Sequence, residues 1–234
     1  MSVAWPVPDA PVVSVADAIA RMEAISAALP PADGVACFNR MYLDVTRQVN
    51  ASITQGFFAD PAFMGQLDVT FANMYFAAAD ALFDPSVVPA AWQPLVDRRS
   101  VSGIEPIQFA LAGMNTHINH DLPLAVVTTC TSLGTEPSAD AHYADYQKVD
   151  ALLDAAEQKV RESFETECEL AVDQHLTAVA DLIGNWTINS ARDLAWNNCL
   201  LLWAIRDNPL ARGLFLDSLA ASTALAGRLL LVAL

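Results

Sequence analysis

Basic side chains are scarce in this chain: 12 lysines and arginines stand against 27 aspartates and glutamates in 234 residues, a formal charge of −15. A surface so poor in cations repels phosphate backbones and anionic headgroups, which argues against nucleic acid and membrane surface as partners. Cysteine is thin as well. Cys37, Cys130, Cys168 and Cys199 lie far apart without a Cys-x-x-Cys spacing, so buried free thiols are expected rather than a zinc ribbon or a redox centre. No glycine-rich phosphate cradle occurs, and Ser132, Ser163 and Cys130 lack the setting of a nucleophile elbow. The start, MSVAWPVPDAPVVSVADAIARM, has no basic stretch followed by an apolar one, from which a cytoplasmic location is expected. The closing TALAGRLLLVAL is apolar but short and holds Arg228, so no membrane insertion is expected of it.

What the chain does have is apolar content, 54% of its residues, enough for a sizeable core. Pro6, Pro8 and Pro11 mark residues 1–13 as an extended arm, and helical periodicity fills 14–234, read as a single domain. Ser14 caps a first helix in which Val15, Ile19, Met22, Ile25 and Leu29 recur at steps of three and four before Pro30-Pro31 stops it. A second helix runs from Val35 to Thr54 with Phe38, Tyr42, Val45, Val49 and Ile53 on one face, and Asp60-Pro61 opens a third. Further helices are predicted from Ile104 to Cys130, from His142 to Glu167, and over 169–183, 187–206 and 209–226. No run alternates as a strand does, so the fold class is all-α, a bundle of about eight helices around a buried central one. Arg98-Arg99 reads as a solvated pair in a loop.

The central segment contains the run GMNTHINHDLP. With His117 at zero on a helical wheel, Ile104, Ile107, Leu111, Met114 and Ile118 gather near about 100° and Phe109, Ala112, Thr116 and His120 on the opposite face. A helix apolar all round sits inside a bundle, so His117, His120 and Asp121 are expected to be buried and in need of partners. His117 and Asp121 fall four apart on one side, and Pro123 kinks or restarts the helix beyond them.

Three readings follow. Neutral imidazole and carboxylate four apart present two ligands to a divalent metal such as zinc or iron, with His142 and Asp145 of the next helix completing the set. Alternatively His117, His120 and Asp121 form a metal-free acid–base centre of a cyclase or isomerase, in a pocket lined by aromatics among Phe57, Phe58, Phe63, Tyr75, Phe76, Trp186 and Trp196. On the third, these residues with Asn115 and Asn119 are a structural polar network, as in a non-catalytic ligand-binding protein. Five polar side chains within seven positions of an apolar helix is a costly arrangement for structure alone, which favours function. The expectation is an enzyme acting on an apolar or amphipathic small molecule, of hydrolase or lyase type on the metal-dependent reading. Its substrate is expected against Asn115, Tyr146, Trp186 and Arg192, and Arg192 alternatively pairs with a buried aspartate. Asp68 and Asn73 interrupt the apolar run QLDVTFANMYF and face either the central helix or water.

The His-x-x-x-Asp pair followed by Leu-Pro-Leu is similar to a fragment of the zinc-dependent helical phospholipase C and nuclease family, over a short stretch only. That family's further histidines and N-terminal tryptophan ligand have no convincing counterpart here. The blocks FMGQLDVTFANMYF, IEPIQFALAGMNTHINHDLPLAVV, HYADYQKVDALL and AGRLLLVAL, in this order, resemble a bacterial domain-of-unknown-function family. That resemblance implies an all-helical domain with the central histidines as its signature, and it brings no assigned activity.

Overall fold

The computed structural model describes Trp5 and residues 10–83, 85–139, 141–153 and 188–233, and every structural statement refers to these. Short polar side chains start the helices. Ser14 accepts from the Asp17 N–H ahead of α1 (Val15–Ala28), and Asp33 accepts from the Val35 N–H ahead of α2 (Gly34–Thr54). Asp60 accepts from the Phe63 N–H, with Pro61 as the first residue of α3 (Pro61–Asp80). Two short 3-10 turns and the one-and-a-half-turn α4 (Gln93–Arg98) cross to the central helix α5 (Pro106–Thr116). A π-turn, His117–Asp121, joins α5 to α6 (Leu122–Leu133), which ends on Gly134 at φ 64°. Residues 142–153 form α7 as far as it is described, followed by α8 (Ile188–Ala204) and α9 (Pro209–Leu230), the latter capped by Asn208. Among the described residues there is no strand, so the fold is all-α.

Every residue of α5 from Ile107 to Thr116 is buried, as the periodicity predicts for a central helix. Two glycines bring α2 against it. A methyl group on Gly113 would run into the Phe38 ring, and one on Gly34 into the Phe109 ring, so each helix inserts an aromatic over the bare backbone of the other. Phe38 thereby arrives beside His117, with ring centroids 5.7 Å apart. On its other side α5 holds the end of α9: the Gln108 amide donates to the carbonyls of Leu230 (2.8 Å) and Val232 (2.9 Å).

Three expectations change. Arg98 and Arg99 are not a solvated pair. Arg98 donates to the Leu231 carbonyl, and Arg99 meets Asp33 at 3.1 Å, because the loop after α4 lies over helix ends whose carbonyls and carboxylate need donors. Asn73 faces neither the central helix nor water; its amide both donates to and accepts from the backbone of Val12, tying down the N-terminal arm. Helix α9 runs to Leu230, past the predicted end at residue 226. The predicted helix over 169–183 and the second half of the one from His142 lie outside the described residues.

Candidate functional site

The site is built on the π-turn. Pro123 has no N–H to give to the Asn119 carbonyl, and its ring would press on that carbonyl in a regular α-helix. The chain takes a wider turn instead, in which the Leu122 N–H reaches back five residues to the His117 carbonyl. Within this turn one carboxylate meets both histidines, the one four residues before it and the one directly before it.

Asp121 is the hub. Its Oδ2 lies 3.0 Å from His117 Nδ1 and its Oδ1 lies 2.7 Å from His120 Nδ1. The indole Nε1–H of Trp92 donates to Oδ2 at 3.0 Å. Burial drives the Asp121 carboxyl upward, but the hydrogen bonds and charge of the two histidines outweigh it and hold it below the ordinary 3.8. An ionised carboxylate only accepts, so both imidazoles present a protonated Nδ1 to it, and the neutral form of His117 is left with a lone pair on Nε2. Burial lowers the pKa of His117 from the ordinary 6.5 against the opposing pull of Asp121, so the ring is a neutral base at neutral pH. His117 and His120 differ in access, with side chains 3% and 14% exposed.

His117 Nε2 is buried and has no protein partner. Its ring borders a cavity of about 80 Å³ whose walls are almost wholly apolar, among them Phe71, Met114, Ile118 and Leu122. That space holds a few waters or a small organic molecule, since one water needs only about 10–15 Å³. Phe71 stacks on the imidazole, centroids 3.4 Å apart and planes 4° from parallel, and Tyr42 closes its edge at 4.5 Å. The ring therefore cannot swing.

Two more polar groups border the cavity with an oxygen left unpartnered, the Tyr42 hydroxyl and Asp68 Oδ2. Burial pushes the Asp68 carboxyl up to about 7 and the Tyr42 phenol well above its usual value, with the Asp68 charge adding to the rise at Tyr42. The cavity thus gathers one base and two groups able to donate a proton or hydrogen bond. Asp68 left a trace in the sequence as a charge inside an apolar run. Tyr42 had the spacing of core, and Trp92 sits in a proline-broken stretch without periodicity, so nothing marked either.

The rest of the expected set goes elsewhere. His142 and Asp145 do not join His117 and Asp121; they secure the start of α3. Asp145 accepts from the N–H groups of Ala59 (2.9 Å) and Asp60 (2.6 Å) and from Lys148 (2.8 Å). His142 bonds the Glu136 carbonyl through Nδ1 at 2.9 Å and stacks on Phe63. A helix N-terminus with unfilled N–H groups draws a carboxylate more strongly than a distant imidazole does. The four-residue metal set is therefore not assembled, and among the described residues no three His, Cys, Asp or Glu side chains converge as metal ligands.

Tyr146 and Arg192 do border the cavity. They are bound to each other and to Asp150: the Tyr146 hydroxyl donates to the Arg192 carbonyl, and Arg192 donates to the Tyr146 carbonyl and to Asp150. Arg192 thus pairs with an aspartate, as the alternative had it, but Asp150 is only half-buried, its side chain 24% exposed. Asn115 points away from the cavity, donating to the Thr223 carbonyl of α9 at 3.1 Å. Trp186 lies outside the described residues.

No curated protein and no solved structure matches this chain. A family profile described as a family of unknown function, DUF5995, matches residues 15–233, which takes in every helix described above and the whole His–Asp–His turn. The chain belongs to the DUF5995 family.

Proposed function

We propose that the protein moves a proton within a small apolar carbonyl compound, as an isomerase or cyclase whose chemistry is carried by side chains alone. The observation that carries this reading is the bare Nε2 of His117, buried beside an apolar cavity and fixed as a lone pair by the Asp121 carboxylate on the other nitrogen. His117 takes a proton from the carbon next to the carbonyl. The electrons of the broken C–H bond move onto the carbonyl oxygen, where Tyr42 and protonated Asp68 supply hydrogen bonds. His117 then returns the proton at another carbon, and the net change is the position of a double bond. Asp121 stabilises the imidazolium formed between the two steps, and Trp92 and His120 hold Asp121 in place. Two carboxyl groups with opposite shifts, Asp121 below its usual pKa and Asp68 near 7, fit a division between orienting anion and acid.

A panel of cyclic ketones and enones tests the reading: binding is followed by thermal stabilisation and deuterium uptake at the α-carbon in D2O by NMR. The expected result is exchange that H117Q slows by at least about 100-fold. Stabilisation without exchange would make the cavity a binding site only. Equal exchange by H117Q would sink the role of His117.

A further inference from the structure

Helix α9 turns a row of leucines outward that no described residue covers. Leu210, Leu214, Leu225 and Leu229 are 75%, 64%, 58% and 60% exposed. At about 100° per residue all four fall within a sector of roughly 100°. The opposite face, with Leu219, Thr223, Ala224, Gly227 and Leu230, is buried against the protein.

The row is symmetric about the point between Leu219 and Ala220. Leu210 mirrors Leu229, Leu214 mirrors Leu225, and Ser218 mirrors Ala221. A surface with that symmetry complements itself when a second copy is laid antiparallel across a two-fold axis. The leucines then meet in pairs, and small side chains at the centre let the helix axes come close.

Charge agrees. In a chain of net charge −15, most faces repel their own copies, but α9 carries Arg212 and Arg228 against Asp217 alone. In the mirrored pairing Asp217 lies opposite Ser222 and Arg228 opposite Ala211, so no like charges face each other. With Val232 beyond the helix, the row offers roughly 500 Å² per copy, or about 1,000 Å² on pairing, the size at which specific interfaces begin.

By length and composition α9 is also apolar enough to cross a membrane. Its end is bound to Gln108 and Arg98 and one face is packed on the protein, however, so it has no full circumference to give to lipid. We propose that the outer face of α9 is the interface of a symmetric antiparallel dimer of this chain.

The mass of the full-length protein in solution, measured by sedimentation at micromolar concentration, tests this. Twice the chain mass is expected. L214E and L225R should each weaken the dimer by at least about 100-fold, the usual consequence of burying an unpaired charge. The double variant L214E/L225R should restore it, because the mirrored register sets each new carboxylate against a guanidinium. A monomeric wild type, a double variant as dissociated as the single ones, or flotation of the wild type with phosphatidylcholine vesicles would each overturn the proposal.

Discussion

Asp121 accepts three hydrogen bonds from three aromatic side chains, two imidazoles and an indole, and the character of the site follows from that. With nitrogen-15 labelled histidine, NMR at pH 7.5 should show His117 and His120 both protonated on Nδ1. D121N removes the charge that selects this tautomer, and should slow proton exchange by about 100-fold or more while costing roughly 2–3 kcal/mol of stability. On the proposed reaction, Asp68 and His117 bound the activity in pH. His117 must be neutral, and burial lowers its pKa from 6.5, so the acid limb lies below 6.5. Asp68 must be protonated, so the alkaline limb lies near its raised value of about 7. Exchange rates measured from pH 5 to 9 should follow this bell, and D68N should lose the limb near 7. The histidines and Asp121 were legible as a candidate site because polar side chains are dense where an apolar helix cannot spare them. Trp92 was not: it reaches Asp121 from 29 positions earlier in the chain, and only folding brings it there.

The π-turn shows how one missing N–H reshapes an element. P123A restores a donor for the Asn119 carbonyl and removes the ring that presses on it, so the turn is free to close to α-geometry. Closing the turn rotates Asp121 by about 50° relative to His117, four residues away, so the expected outcome is unchanged or higher helix stability with weakening of the hydrogen-bonded Nδ1–H signal of His117, read in the same NMR spectrum. Proline marked this position as a kink or restart, but a wheel of fixed 100° steps did not show that His117 and His120 share one carboxylate. G113A tests the contact between α2 and α5. The added methyl collides with Phe38 and should cost about 1–3 kcal/mol by chemical denaturation, and it should also disturb the site because Phe38 borders the cavity. Ser14 and Asp60 were readable as helix starts because caps are local: each accepts from an N–H three residues ahead, and the structure adds Asp33 and Asn208 as caps of the same kind. The assignment of His142 and Asp145 failed for the same reason in reverse, since the helix start that Asp145 serves belongs to a segment 85 and 86 positions away.

For the whole molecule, buried charge sets the response to pH. The Asp68 carboxyl ordinarily titrates at 3.8 and is raised to about 7 in the fold. Its stabilising contribution is therefore complete below about 3.8 and lost as pH rises through about 7. Asp121 is lowered, so its contribution is present above 3.8 and lost as pH falls through its folded value. Denaturation midpoints at pH 5 and pH 8 should fall less between the two for D68N than for wild type, with the variant more stable at pH 8 by on the order of 1 kcal/mol.

Periodicity, caps and proline positions are properties of neighbours along the chain, and from them alone follow the all-α class, the burial of the central helix and the gathering of polar side chains at His117, His120 and Asp121. Which partners those three meet is a matter of distance in space. The packing of α2 against α5, and of α3 against the π-turn and α6, leaves an apolar cavity beside His117, brings Tyr42 and Asp68 to it, and sends His142 and Asp145 to the start of α3. No spacing in the sequence encodes those choices, because each depends on which helix packs against which.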